Sequence, residues 1–417
     1  MYQKSAKSVI FERIYLMSFM NRIYKLTSLI FLLFVTLDMP AKVTDRKDVR
    51  FAYDVAFDMN FDNREFYKSN FSRSMTIFGA RLTPSVGLSV IQRDDMKHKI
   101  MIGVDVMKDF GASPVPEHIA GGTSPETLKS LNHKDLFREI ILYYRLDRKS
   151  GKNDFSLTAG IFPRSSLKGC YSEAFFSDSL RFYDNNLEGL LLQLDRPKAH
   201  FELGCDWMGQ YGADRREKFM IFSSGEGYPV PFISLGYAAY MYHFASSDAV
   251  HGVVDNILVN PYVKADFSPV TGLQSLTLRA GWLQSMQHDR ANVGHYVFPH
   301  GAEIDLDIKN WNVGIRNDFF FGTDMMPYYN MKDGGGFKYG SRLYMGDPFY
   351  RVFDDGNSVI SNGTYDRFEV YYEPVIGSYI KIRVAAIFHF NNLKYSGTQQ
   401  MVTLGFDLQE LLGRKNK

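Results

Sequence analysis

Glu303, Asp305 and Asp307 occupy alternate positions of one segment, with Ile304 and Leu306 between them. Carboxylates spaced by two share a face only if the backbone is extended, so this spacing points to a strand with one charged side. Arg367, Lys381 and Arg383 take the corresponding parity in two later segments, and a hairpin between those segments brings the three together. Fixed acid on one wall and base on another set up a transverse field that orients water and small polar solutes, which is the chemistry of a pore lining. The same parity collects Arg81, Arg145, Arg279 and Arg316, together with Asp54, Asp58, Asp105, Glu139, Glu202, Asp206, Asp318, Glu369 and Glu373. Mixed signs argue against a strongly anion-selective passage. The competing reading is that these charges pair with one another and fill a narrow or plugged interior.

Catalytic arrangements fare less well. His200 and His389 share the polar parity, His243 has no clear facing, and His288, His295 and His300 fall in a loop. No Ser, His and acid converge by strand adjacency, so no catalytic residue is assigned and the chain is expected not to be an enzyme. His295 and His300 match no ligand spacing, and Gly334, Gly335 and Gly336 lack the following Lys-Ser/Thr of a phosphate loop. Neither a metal nor a cofactor is expected. Cys170 and Cys205 allow at most one bridge, with Cys205 on the apolar parity.

The elements that position these charges repeat along the whole chain. In 78–90, Phe78, Ala80, Leu82, Val86, Leu88 and Val90 oppose Gly79, Arg81, Thr83, Ser85, Gly87 and Ser89, a period of two. About sixteen such segments follow one another: 49–61, 74–91, 97–109, 136–147, 153–163, 187–195, 199–208, 216–223, 231–244, 256–267, 274–286, 300–308, 311–321, 364–374, 378–391 and 398–409. Many are longer than strands of soluble sheets and suit tilted membrane strands. Short connections (near 92–96, 148–152, 196–198, 224–230, 268–273, 309–310 and 375–377) alternate with long or polar ones (62–73, 110–135, 164–186, 209–215, 245–255, 287–299, 322–363 and 392–397). Segregated loop lengths and an even count predict an all-β fold. It is a transmembrane antiparallel β-barrel of about 16 strands, with short periplasmic turns and long extracellular loops.

Composition agrees. The 417 residues include 34 Phe and 26 Tyr, which favour strands, and 34 Gly, which disfavours helix interiors. Lys plus Arg is 48 against 46 Asp plus Glu, a net charge of +2 that offers no field for nucleic acid. No run reaches the 18 or more apolar residues of a membrane-spanning helix. Arg22 and Lys25 precede an apolar stretch from Leu26 to Leu37 that ends in Pro40-Ala41, so residues 1–41 read as a secretory signal, with Met20 as an alternative start. Residues 42–417 then form a single barrel domain, with 124–135 as a short helix inside a loop.

The chain resembles porin-like outer-membrane proteins of Gram-negative bacteria, in style the Bacteroidetes members. The likeness rests on Gly79 to Pro84, Gly160-Ile161-Phe162-Pro163-Arg164, Asp206-Trp207-Met208-Gly209 and Gly346 to Arg351. That resemblance implies passive diffusion of small hydrophilic solutes through a barrel in outer-membrane lipid, with association as a homotrimer left open. It also implies that the loop after the fifth strand, carrying Arg164, Lys168, Arg181, Tyr183 and Asp184, folds inward as a constriction. Its aromatics, Tyr171, Phe175, Phe176, Phe182 and Tyr183, equally suit packing on the rim. Loop 322–363 is expected as an external cap or recognition loop. A plugged barrel whose long loops bind a surface ligand is the alternative function, and a barrel hydrolase the third.

Overall fold

The computed structural model describes residues 48–66, 74–92, 95–110, 137–352, 362–377 and 379–408. The expected signal over 1–41, the start at Met20 and the helix in 124–135 lie outside the described residues.

Each alternating segment forms a strand. In chain order these are β1 (Asp48–Phe66), β2 (Met75–Ile91), β3 (Met96–Asp109), β4 (Phe137–Ser150), β5 (Asn153–Pro163), β6 (Asn186–Arg196), β7 (Ala199–Gly209) and β8 (Lys218–Val230). They continue as β9 (Ile233–Phe244), β10 (Val254–Asp266), β11 (Ser275–Asp289), β12 (His300–Asn310), β13 (Val313–Gly322), β14 (Gly363–Tyr372), β15 (Ile380–Asn391) and β16 (Lys394–Asp407). Each pairs antiparallel with the next, and Val375–Ile376 adds a two-residue pairing to β15 in the turn after β14. β16 returns to β1, setting Ala56 opposite Asp407 and Phe66 opposite Gly397, which closes the barrel so that none of these sixteen strands is an edge.

Side-chain facing follows the alternation. On β2, Leu82, Val86 and Leu88 point outward and exposed, whereas Arg81, Thr83, Ser85 and Ser89 are buried inward. Ile100, Ile102, Ile140, Leu142 and Val384 continue the outward apolar belt on neighbouring strands. Leaving one such side chain in water forfeits about 1.5–3 kcal/mol of burial, so a belt of them marks a face solvated by hydrocarbon.

One end of the barrel carries both described chain termini and two-residue turns at 151–152, 197–198, 231–232 and 311–312. Trp311 (φ 48°) and Asn312 (φ 64°) are both left-handed, the backbone of a tight hairpin turn. The expected turn at Lys309-Asn310 is therefore displaced by two residues. Asn310 still pairs with Val313, and the left-handed pair falls where an Asn accepts it most readily. The expected polar connection 392–397 shrinks likewise to Asn392 (φ 51°) and Leu393 (φ 60°), because the alternation resumes at Lys394. The longer connections 164–185, 210–217, 245–253, 290–299 and 323–362 emerge at the opposite end.

Candidate functional site

Two of those long connections turn back into the lumen. Segment 164–185 leaves the top of β5 and descends along the inner wall until the Lys168 and Gly169 amides donate to the Glu202 carboxylate at 2.9 and 3.0 Å. Glu202 is only three residues from the start of β7, so the loop nearly reaches the turn end. It then climbs through Tyr171, Phe175 and Phe176, all buried, and forms the short helix α1 (Asp178–Tyr183), capped by the Ser177 hydroxyl. Segment 323–352 enters beside it. Its Met325, Met326, Tyr328, Tyr329, Tyr339, Tyr344, Phe349 and Tyr350 are also buried, in one cluster with Phe175, Tyr240, Phe244 and Phe320. A segment this apolar gains more by packing than by standing in water, which overrides the expectation of an external cap. Its central turn remains exposed at Asn330, Lys332, Gly334 to Gly336 and Lys338.

The two loops pair with each other. The Ser177 amide donates to Met345 O at 2.9 Å and the Asp347 amide to Glu173 O at 2.7 Å. Gly346 sits between these bonds, and a Cβ there would lie 2.1 Å from Ala174 O, so the contact needs glycine. Tyr350 donates to Glu303 at 2.6 Å, and Phe349 stacks on His389 with centroids 4.1 Å apart. Among groups on these loops, burial pushes the Glu173 carboxyl up to about 7, with Arg181 at 2.9 Å offsetting only part of the rise.

Beneath the loops the inward charges neutralise one another. Register sets Arg279 opposite Asp305, Asp305 opposite Asp318, and Asp318 opposite Arg367. Arg279 bonds Glu303 at 3.0 Å and also Asp305; Arg367 bonds Glu369 at 2.7 Å and Asp318 at 3.3 Å. Arg316 meets Asp318 at 3.0 Å, Arg164 meets Asp206 at 3.3 Å, and Asp307 accepts from Tyr371 at 2.7 Å. The expected transverse field is thus cancelled locally, because neighbouring strands carry the opposite sign one row away.

What stays open is eccentric. A cavity of about 1080 Å³ follows the wall from β15 through β16 and β1 to β5, starting at the turn end. Arg81, Arg145, Lys381 and Arg383 line it, with Asp54, Asp58, Lys97 and Lys99. The remaining inward residues of the sequence reading, Asp105, Glu202, Asp206, Arg279, Glu303, Asp305, Asp307, Arg316 and Arg367, lie outside this cavity, in the bonds just described or, for Asp105, against Arg81 at 2.9 Å. α1 bounds the cavity from the loop end. Arg64 bonds Ser179 at 2.7 Å, Arg81 bonds Phe182 O, Tyr183 reaches Asp109 at 3.3 Å, and Asp178 lies 3.6 Å from Arg367. The helix is therefore tied to β1, β2, β3 and β14 at once.

The loop residues spread over different places. Arg181 lines the cavity and Arg164 is buried against Asp184 O, whereas Lys168 bonds Asp195 at 2.5 Å, away from α1. Lys97 and Lys99 were missed in the sequence, although Lys99 shares the parity of Asp105 and was readable. Cys170 and Cys205 are both free thiols. His243 faces outward near the loop end of β9, 3.3 Å from Asp255, which Arg290 also holds at 2.7 Å. His288 and His300 lie on β11 and β12 and not in a loop.

Residues 45–243 match a family model described as lipid A 3′-O-deacylase-type. No curated protein matches the chain. Among solved structures, a loop-deletion mutant of OmpT, an outer membrane protein of Vibrio cholerae, is 8% identical, with 87% of this chain and 100% of that chain covered and a TM-score of 0.50. OccK5 (OpdH) of Pseudomonas aeruginosa is 9% identical over 86% and 97%, at 0.40, and OccAB3 of Acinetobacter baumannii 10% identical over 86% and 98%, at 0.43. The expectation that the chain is not an enzyme is corrected by the family match, since that family is named for a deacylase. The closed sixteen-strand wall, its apolar belt and the likeness to an outer membrane protein make this chain a β-barrel of the outer membrane, with the end that carries both described termini periplasmic and the long loops external.

Proposed function

We propose that the barrel passes small hydrophilic solutes along the eccentric cavity, with α1 as the constriction. The observation that carries this reading is the charged cavity of about 1080 Å³ running from the periplasmic mouth to α1, beside the buried aromatic cluster of the two loops. Water beside fixed charges of both signs favours polar solutes over apolar ones. Steady ohmic current of the purified protein in a planar bilayer is the expected result, and deleting 177–184 should enlarge each step. Folded, inserted barrels that carry no current in either form would refute it.

The family match favours a second reading, in which the barrel also removes an acyl chain from lipid A. The outward His243–Asp255 pair, oriented by Arg290 and flanked by Trp207 stacked on Phe219, sits on the lipid face near the loop end. A carboxylate that holds one imidazole nitrogen leaves the other free to act as a general base on water. Incubation with lipid A and mass spectrometry should show an acyl loss that His243→Ala abolishes; unaltered lipid A would remove this reading. The two readings use opposite faces of one wall and do not compete.

A further inference from the structure

Five charges lining the cavity have no ion-pair partner among the described residues: Asp54 and Asp58 on β1, Lys97 and Lys99 on β3, and Lys381 on β15. Neighbouring strands lie about 4.8 Å apart, so in the order β15, β16, β1, β2, β3 the aspartates stand roughly 10 Å along the wall from lysines on either side. Asp58 shares the cavity with Arg81, opposite it on β2, and with Lys381, and Asp54 shares it with Asp407 and Lys99, in each case without an ion-pair contact. Asp58 and Lys381 are in register with the same residue, Gly405 of β16, which puts no side chain between them. A Cβ at Gly405 would lie 3.4 Å from Asp58 Oδ1 and 3.7 Å from the Lys381 Cβ, so the gap is a shaped bed of ordinary contact distance. Other lumen charges close directly on opposite ones, as Arg279 does on Glu303 and, in the cavity wall itself, Arg383 does on Glu373.

We propose that this bed binds short zwitterionic peptides entering from the periplasmic mouth, the terminal ammonium on Asp58 and Asp54 and the terminal carboxylate on Lys381 or the Lys97–Lys99 pair. The proposal rests on the reading of the cavity as water-filled solute space. An extended chain spans about 3.3–3.6 Å per residue, so three residues separate the two termini by roughly 10 Å and match the spacing of the wall charges. A single amino acid is too short to reach both, and a simple ion satisfies one sign only. The ligand is neutral overall, so its entry disturbs no charge balance, and the cavity exceeds the few hundred Å³ that such a molecule needs.

The test is calorimetric titration of the purified full chain in detergent micelles. Trialanine should bind saturably. N-acetyl-trialanine amide, which has neither terminal charge, should not, and alanine should bind more weakly. Asp58→Asn and Lys381→Gln should each raise the Kd about tenfold, the equivalent of roughly 1.4 kcal/mol, and Gly405→Leu should abolish binding by filling the bed. Equal binding of free and end-blocked peptide overturns the proposal, and so does the absence of any saturable trialanine signal. The ligand series on the unaltered chain decides the matter even where a variant fails to fold. Current in the bilayer without peptide binding leaves the channel reading standing and sinks this one; peptide binding without current does the reverse.

Discussion

The wall from β6 to β14 and the wall from β15 to β5 are built by the same alternation, yet their inward charges live differently. Under the loops, Arg279, Arg316 and Arg367 each have carboxylates within bonding distance and aromatic side chains packed against the same interior. Along the cavity, Lys97, Lys99, Lys381, Asp54 and Asp58 face open space. Parity therefore states which way a side chain points, and the loops decide whether it meets water or a partner. Charges of the first kind are closed by partners within the barrel wall; those of the second face the cavity without an ion pair.

The sharpest way to break that contrast is to remove one charge from each side. Arg367→Leu takes one buried cation from both Asp318 and Glu369, leaving them Arg316 and Arg383 alone, and breaking buried pairs of this kind costs about 3–5 kcal/mol. Lys381→Gln removes a solvated charge and should cost no more than about 1 kcal/mol. Denaturant midpoints followed by heat-modifiable migration measure both, and equal losses would mean that the two walls are energetically alike.

A smaller effect separates inside from outside. Leu88→Arg places a cation in hydrocarbon and should cost about 2–4 kcal/mol, whereas Ser85→Arg enters the cavity wall and should cost much less. Similar folded yields for both variants would reverse the facing of β2.

How much of this was legible follows from the range of each signal. The sixteen strands and the inward facing of Arg81, Arg279 and Arg367 were readable because a period of two is local and the wall has one greasy face. The turn at Trp311-Asn312 was misplaced by two residues because the strands keep their alternation right up to it. The inward path of 323–352 was hidden for a different reason. Its Tyr, Phe and Met have no periodicity, and only the apposition of Gly346 to Ala174, far apart in sequence, shows where they pack. Lys99 was equally legible, because it shares the parity of Asp105 on the same strand. The family match pointed to catalysis that no spacing of Ser, His and acid in the strands had indicated.

The finest distinction concerns how firmly the plug is latched, and Glu173 supplies a handle on it. Its carboxyl is buried between the two loops and raised to about 7, and its backbone oxygen accepts the Asp347 amide. Because the docked value exceeds the ordinary 4.5, the docked loop binds the proton more tightly than the undocked loop does. The resulting stabilisation is full below about pH 4.5 and is lost as the pH rises through about 7. Amide exchange at Ser177 and Asp347, corrected for intrinsic rate, should accordingly report weaker protection at pH 7.5 than at pH 5, by several-fold. Glu173→Gln keeps a neutral side chain at all pH and should flatten that dependence while retaining protection near the acid level. A variant whose exchange still falls with pH in the original way would locate the latch elsewhere and leave the contrast between the two walls independent of it.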